Sequence, residues 1–205
     1  MGCDIHLYIE FRHKPRPGEE PVPVHLVTPA GMEIIRPRPW ASWGSRLYMG
    51  RDYDWFGFLA GVRTGGPPVV EPRGMPMDLG WEALGDCTMA VRKPGDDCNC
   101  AGTVSLANAQ KYVANRYSQW YEEPDPEEMP DIVSDDRGCI LHRKKYGRVT
   151  HPDWHSATWL TVPEFEKSLR LVKGGDITCQ AALAVLKTLA KATAWDVRAV
   201  IWFDN

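Results

Sequence analysis

The stretch Cys3-Asp4-Ile5-His6-Leu7-Tyr8-Ile9-Glu10-Phe11 alternates strictly, with Cys3, Ile5, Leu7, Ile9 and Phe11 on one side of an extended backbone and Asp4, His6, Tyr8 and Glu10 on the other. A period of two is the mark of a half-buried strand. The polar side gathers two acids, an imidazole and a phenol. Near the far end of the sequence Val197, Ala199, Ile201 and Phe203 alternate in the same way with Arg198, Val200, Trp202 and Asp204. The two patterns complement each other. As neighbours in one sheet, these strands would place Asp4, His6, Glu10, Arg198 and Asp204 on one surface.

Between them the chain mixes strand and helix signals. Val22 to Thr28 and Met32 to Arg36 flank Pro29-Ala30-Gly31 and predict a hairpin. Asp52 to Arg63 reads as a helix capped by Asp52, with Trp55, Phe56, Leu59 and Val62 on one stripe and Gly65-Gly66-Pro67-Pro68 as its stop. A short helix from about Asp78 is expected, then an irregular segment from Thr88 to Gly102. Helical spacing returns from Ser105 to Glu122, and a second hairpin is predicted from Cys139 to Val149 around Tyr146-Gly147.

Thr161-Val162-Pro163-Glu164 is a capping box opening a helix to about Val172. Asp176 caps another helix, whose predicted buried stripe runs through Ile177, Ala181, Ala184, Val185 and Leu189. Without regular strand-helix alternation, this order predicts an α+β fold: one domain over residues 1–205, with helices packed on a mixed or antiparallel sheet and the N- and C-terminal strands adjacent.

Composition sets the context. With 43% hydrophobic and 25% charged residues, the 205-residue chain has an ordinary globular make-up. No apolar run is long enough to span a membrane and no secretory signal opens the sequence, so a cytoplasmic protein is expected, in the host cell cytoplasm if phage-encoded. Met1-Gly2-Cys3 lacks the Ser or Thr at position six that myristoylation wants. Six cysteines in that compartment read as thiols or metal ligands rather than disulfides. A net charge of −3 argues against a broad nucleic-acid-binding face.

Two tripeptides of one form, Asp4-Ile5-His6 and Asp153-Trp154-His155, carry the chemistry the sequence offers. Residues two apart on a strand share a side at roughly 7 Å, close enough to share an ion or a substrate. Asp4, His6 and Asp204 are the candidate ligands of a divalent metal, zinc, manganese or magnesium. His155 and Asp153 are candidates for acid-base work, and Arg63 and Arg198 for stabilising charge on phosphate. The competing reading is a salt-bridge network around Arg198 and a polar turn at His151-Pro152-Asp153-Trp154-His155-Ser156. Cys98, Cys100, Cys139 and His142 form a further candidate set for a structural zinc, although Cys98-Asn99-Cys100 is tighter than the usual spacing. Neither a Walker loop nor a dinucleotide fingerprint occurs.

The pieces Gly2-Cys3-Asp4-Ile5-His6, Arg51-Asp52-Tyr53, Leu59-Ala60-Gly61-Val62-Arg63, Pro72-Arg73-Gly74, His155-Ser156, Trp159-Leu160-Thr161 and Trp202-Phe203-Asp204-Asn205 resemble a family of small uncharacterised bacteriophage and bacterial proteins with the same opening. The resemblance implies a phage or bacterial origin and assigns no residue a role. The segment from about 87 to 149 lies outside these pieces and reads as a variable insertion.

Two functions compete at this stage. One is a metal-dependent hydrolase cleaving a phosphoester of a nucleotide or nucleic acid. The other is a non-catalytic phage accessory protein that binds a host protein or a small nucleotide, with Trp40, Trp43 and Trp55 stacking or anchoring.

Overall fold

The computed structural model describes residues 4–13, 23–27, 33–37, 40–61, 67–76, 78–92, 95, 101–114, 118–121, 145–172, 175–192 and 195–204. They fall into two compact units, one built from residues 1–22, 38–84 and 153–205 and the other from 23–37 and 85–152. The fold is α+β, and among the described residues no helix is long and apolar enough to cross a membrane.

The first unit is organised by strand β1 (Asp4–His13) and strand β11 (Trp195–Asp204). They pair antiparallel over their whole length, Asp4 opposite Asp204, His6 opposite Trp202 and Glu10 opposite Arg198. β10 (Trp154–Thr161) flanks β11 on one side, and the two-residue strands β4 (Ala41–Ser42) and β5 (Leu47–Tyr48) pair with β1 on the other. One face sends Ile5, Leu7, Ile9, Ala199, Ile201, Phe203 and Leu160 into the core. Three helices close over that face: α1 (Tyr53–Ala60), α4 (Val162–Leu171) and α5 (Ile177–Lys191).

Local chemistry fixes those helices. Asp52 caps α1 by accepting the Trp55 amide at 2.9 Å, and Asp176 caps α5 by accepting the Cys179 amide at 2.9 Å. The Thr161 amide and hydroxyl both donate to Glu164 at the start of α4, at 2.9 and 2.8 Å. Helix α1 stops earlier than the Gly-Pro cluster predicts, because Gly61 takes up a left-handed conformation (φ 69°) as its C-cap. In α5 the buried stripe is Cys179, Ala182 and Leu186, while Ile177 is 86% exposed. Burial pushes the Cys179 thiol up to about 12, so this cysteine stays protonated and unreactive.

The second unit holds a four-stranded sheet in the order β7 (Thr103–Ser105), β6 (Thr88–Arg92), β9 (Lys145–Thr150), β8 (Trp120–Tyr121). Helix α3 (Leu106–Ala114) shares its small core of Val91, Val104, Ala109 and Val149. The predicted hairpin appears as β2 (Pro23–Val27) paired antiparallel with β3 (Glu33–Pro37). The short helix after Asp78 is α2 (Trp81–Cys87), whose residues divide between the two units.

Three expectations fail here. The segment from Thr88 begins as a strand rather than irregular chain, because Ala90 to Arg92 find partners on both sides. The predicted helix from Ser105 ends by Ala114 within the described residues, and Trp120 and Tyr121 instead pair with β9. Gly147 lies inside β9 rather than at a hairpin turn, and a Cβ there would come within 2.9 Å of the Trp120 ring.

Candidate functional site

The face of the first sheet opposite its helices carries the alternate residues of β1 and β11, and it is buried as well at His6, Tyr8, Glu10, Arg198 and Trp202. Two polar clusters occupy it, six residues apart along β1.

At the Asp4 end, the Asp204 carboxylate accepts the Asp4 amide at 3.2 Å and pairs with His6 Nε2 at 2.9 Å. The Asp4 carboxylate is held by the Arg51 guanidinium and by the Tyr48 hydroxyl at 3.0 Å. Its hydrogen bond from Arg51 keeps the Asp4 carboxyl below the usual carboxylate range, and accepting from Tyr48 is matched by a raised phenol. His6 stacks on Trp202 at 5.7 Å between ring centroids, and Tyr8 and Trp154 meet the same indole at 5.8 and 5.5 Å. His6 Nδ1 and Trp202 Nε1 are buried and have no hydrogen-bond partner among the described residues. Such orphans are uncommon in native proteins.

At the other end Glu10, fully buried, pairs with Arg198 at 2.7 Å and accepts the Gly80 amide at 2.8 Å. Arg198 reaches on to Asp78, donating to its carboxylate at 2.8 Å and to its carbonyl at 3.1 Å. The Trp40 indole N–H also donates to the Asp78 carboxylate, at 2.8 Å. Arg12 completes the cluster with Asp78 at 3.4 Å and Asp196 at 3.3 Å. The Arg198 and Arg12 guanidiniums lie 3.9 and 4.6 Å from the centroid of the Trp40 ring, within cation–π range. Burial alone would raise the Asp78 carboxyl, but hydrogen bonds from Arg198 and Trp40 outweigh it and hold it below its ordinary value.

This second cluster opens onto a cavity of about 460 Å³ lined by Trp40, Trp159, Arg12, Arg198, Asp78 and Asp196, with Pro76, Thr161 and Val197 filling its wall. Every lining residue belongs to the first unit. The volume falls within the range of small-molecule sites. Trp159 is itself held by Arg73, which lies 4.3 Å from its ring centroid, donates to its carbonyl at 3.0 Å and pairs with Glu164.

The sheet therefore brings together Asp4, His6 and Asp204, and sets Arg198 on the same face but in the other cluster. It does not bring His155 to them. Opposite Phe203 in the β10–β11 register, His155 turns to the helix side, where it meets the Phe203 and Phe56 rings at 6.1 and 5.7 Å. Asp153 stands just before β10 in an exposed position. The predicted polar turn is thus corrected from Trp154 onward to a strand, distorted between His155 and Thr158, where Ser156 adopts φ 49°. Trp55, predicted as an anchor, is a core residue whose indole N–H donates to Ser168 at 2.9 Å. Arg63 and the zinc candidates Cys98, Cys100, Cys139 and His142 lie outside the described residues.

Sequence reasoning missed Arg51 and Tyr48, the partners of Asp4, as well as Asp78, Gly80 and Trp159. Arg12 and Asp196 were within reach, since one more step of the same alternation sets them opposite each other. Among the described residues no group of three or more His, Cys, Asp and Glu is arranged to hold a metal. The reason is visible in the bonding: the Asp4 oxygens face Arg51 and Tyr48, and the Asp204 oxygens face His6 and the Asp4 amide. Set against known proteins, the chain matches no family model, no curated protein and no solved structure.

Proposed function

We propose that the first unit is a small-molecule-binding module that holds a nucleotide-like ligand in the Trp40–Trp159 cavity without transforming it. The cavity carries this reading, because it joins indole surface for stacking to paired charged groups that fix orientation. The titratable cluster at the Asp4 end is engaged with itself, and His6 is too deeply buried to meet a substrate as arranged.

The expected result is that at least one member of a panel of nucleobases, nucleosides and nucleoside 5′-monophosphates binds the full chain in ligand-observed NMR. Trp159→Ala should weaken that binding about tenfold or more, since base–indole stacking contributes about 1–3 kcal/mol. A panel without any binder, or binding indifferent to Trp159→Ala at an unchanged urea midpoint, overturns the reading.

A second reading, metal-dependent phosphoester hydrolysis at Asp4, His6 and Asp204, draws support from one observation. Residues from opposite ends of the sequence meet at His6, whose Nε2 pairs with Asp204 while its buried Nδ1 has no partner among the described residues. Binding a divalent ion would require Arg51 to leave Asp4, after which it would be placed to neutralise phosphate charge. Elemental analysis of protein purified without chelator separates the cases. Stoichiometric metal, lost in His6→Ala, supports this second reading, and metal-free wild type sinks it.

A further inference from the structure

Resting on the binding reading above, we infer that the cavity selects an uncharged planar ring with an amide-type edge, a nucleobase or nucleoside, and disfavours the corresponding 5′-phosphate. Two arginines line the cavity, which at first resembles a phosphate site, but all their donor nitrogens except Arg12 Nη2 are committed to carboxylates. Arg198 spends Nε and Nη2 on Glu10 and Nη1 on Asp78. Arg12 spends Nε on Asp196 and Nη1 on Asp78. The lining thus carries two positive and two negative charges, and Arg198 is further neutralised by Glu10, which pairs with it at 2.7 Å. A phosphate entering here would meet Asp78 and Asp196 as well as the arginines, and would gain no net attraction.

What remains open is a neutral recognition edge. Arg12 and Asp196 are cross-strand partners on β1 and β11, joined through Nε and Oδ2. Among the described residues, Arg12 Nη2 and Asp196 Oδ1 have no hydrogen-bond partner. The one ion pair thus offers one donor and one acceptor. The edge of a nucleobase presents the reverse, a ring or carbonyl acceptor beside an N–H donor, and it can satisfy both at once. The half-buried Trp159 supplies the stacking surface in the same cavity.

The test titrates adenosine, guanosine, cytidine and uridine, and their 5′-monophosphates, into the full chain by calorimetry at low salt. At least one nucleoside should bind, with its monophosphate about tenfold weaker or worse. Asp196→Asn removes one repelling charge and half of the edge, so it should weaken the nucleoside and narrow its advantage over the monophosphate. A monophosphate binding as tightly as its nucleoside, still dependent on Trp159, overturns this inference and leaves the binding reading standing. If neither class binds, both fall.

Discussion

Replacing Arg198 with Met is expected to cost about 3–5 kcal/mol of folding stability at neutral pH, and part of that loss should return on acidification. The side chain is 5% exposed and its partner Glu10 is fully buried, so the substitution strands a carboxylate whose remaining donor among the described residues is the Gly80 amide. Burial already raises the Glu10 pKa, against the opposing pull of Arg198. A carboxyl whose folded pKa lies above its unfolded value stabilises fully below the unfolded value, and that contribution is lost as pH rises through the folded one. Removing Arg198 takes away the opposing pull and widens the window upward. Urea unfolding at pH 5 and pH 7.5 should therefore show a smaller gap between variant and wild type at the lower pH. A gap that is the same at both, or below about 1 kcal/mol, would show that the pair is not the buried charge described here.

Gly80→Ala is expected to be the next most damaging change, at about 1–3 kcal/mol, and to abolish ligand binding in the cavity. A Cβ at this position would sit 2.4 Å from the Trp40 carbonyl oxygen and 3.0 Å from Glu10 Oε1. The nearer atom is backbone, so no side-chain rotation relieves the clash. The strand of chain that carries Trp40 must move, and with it the indole that lines the cavity and bonds Asp78. Wild-type urea midpoint together with wild-type ligand affinity in this variant would refute the geometry.

The central pair of strands was legible because its signal is purely periodic. Alternation in β1 and β11 predicts both faces, and the structure pairs Asp4 with Asp204 and Glu10 with Arg198 as that alternation requires. Helix starts were equally legible, since Asp52 and Asp176 accept amides three residues on and the Thr161 amide donates to the carboxylate of Glu164, three residues on. β10 was not. The irregularity between His155 and Thr158 shifts the alternation midway, so both residues face the core although they are three apart. In α5 an alanine-rich sequence leaves the apolar stripe ambiguous: packing centres on Cys179, Ala182 and Leu186, keeps Val185 and Leu189 of the predicted stripe against the core, and leaves Ile177, Ala181 and Ala184 exposed. The cavity was the least legible feature. Trp40, Pro76 and Asp78 reach it from irregular chain whose course no periodicity encodes.

The pairing of β1 with β11 also governs when this unit can fold. Asp4 and Asp204 are 200 positions apart, and the two excursions that make up the second unit are synthesised between them. On the ribosome β1 is made long before β11, and its full-length pairing waits until that strand has been made. The 85–152 segment, whose strands and helix lie within it, can gather its own core first. Order of synthesis and order of assembly are thus reversed for the strand that opens the fold, and contacts of such long range make its closure the slow step.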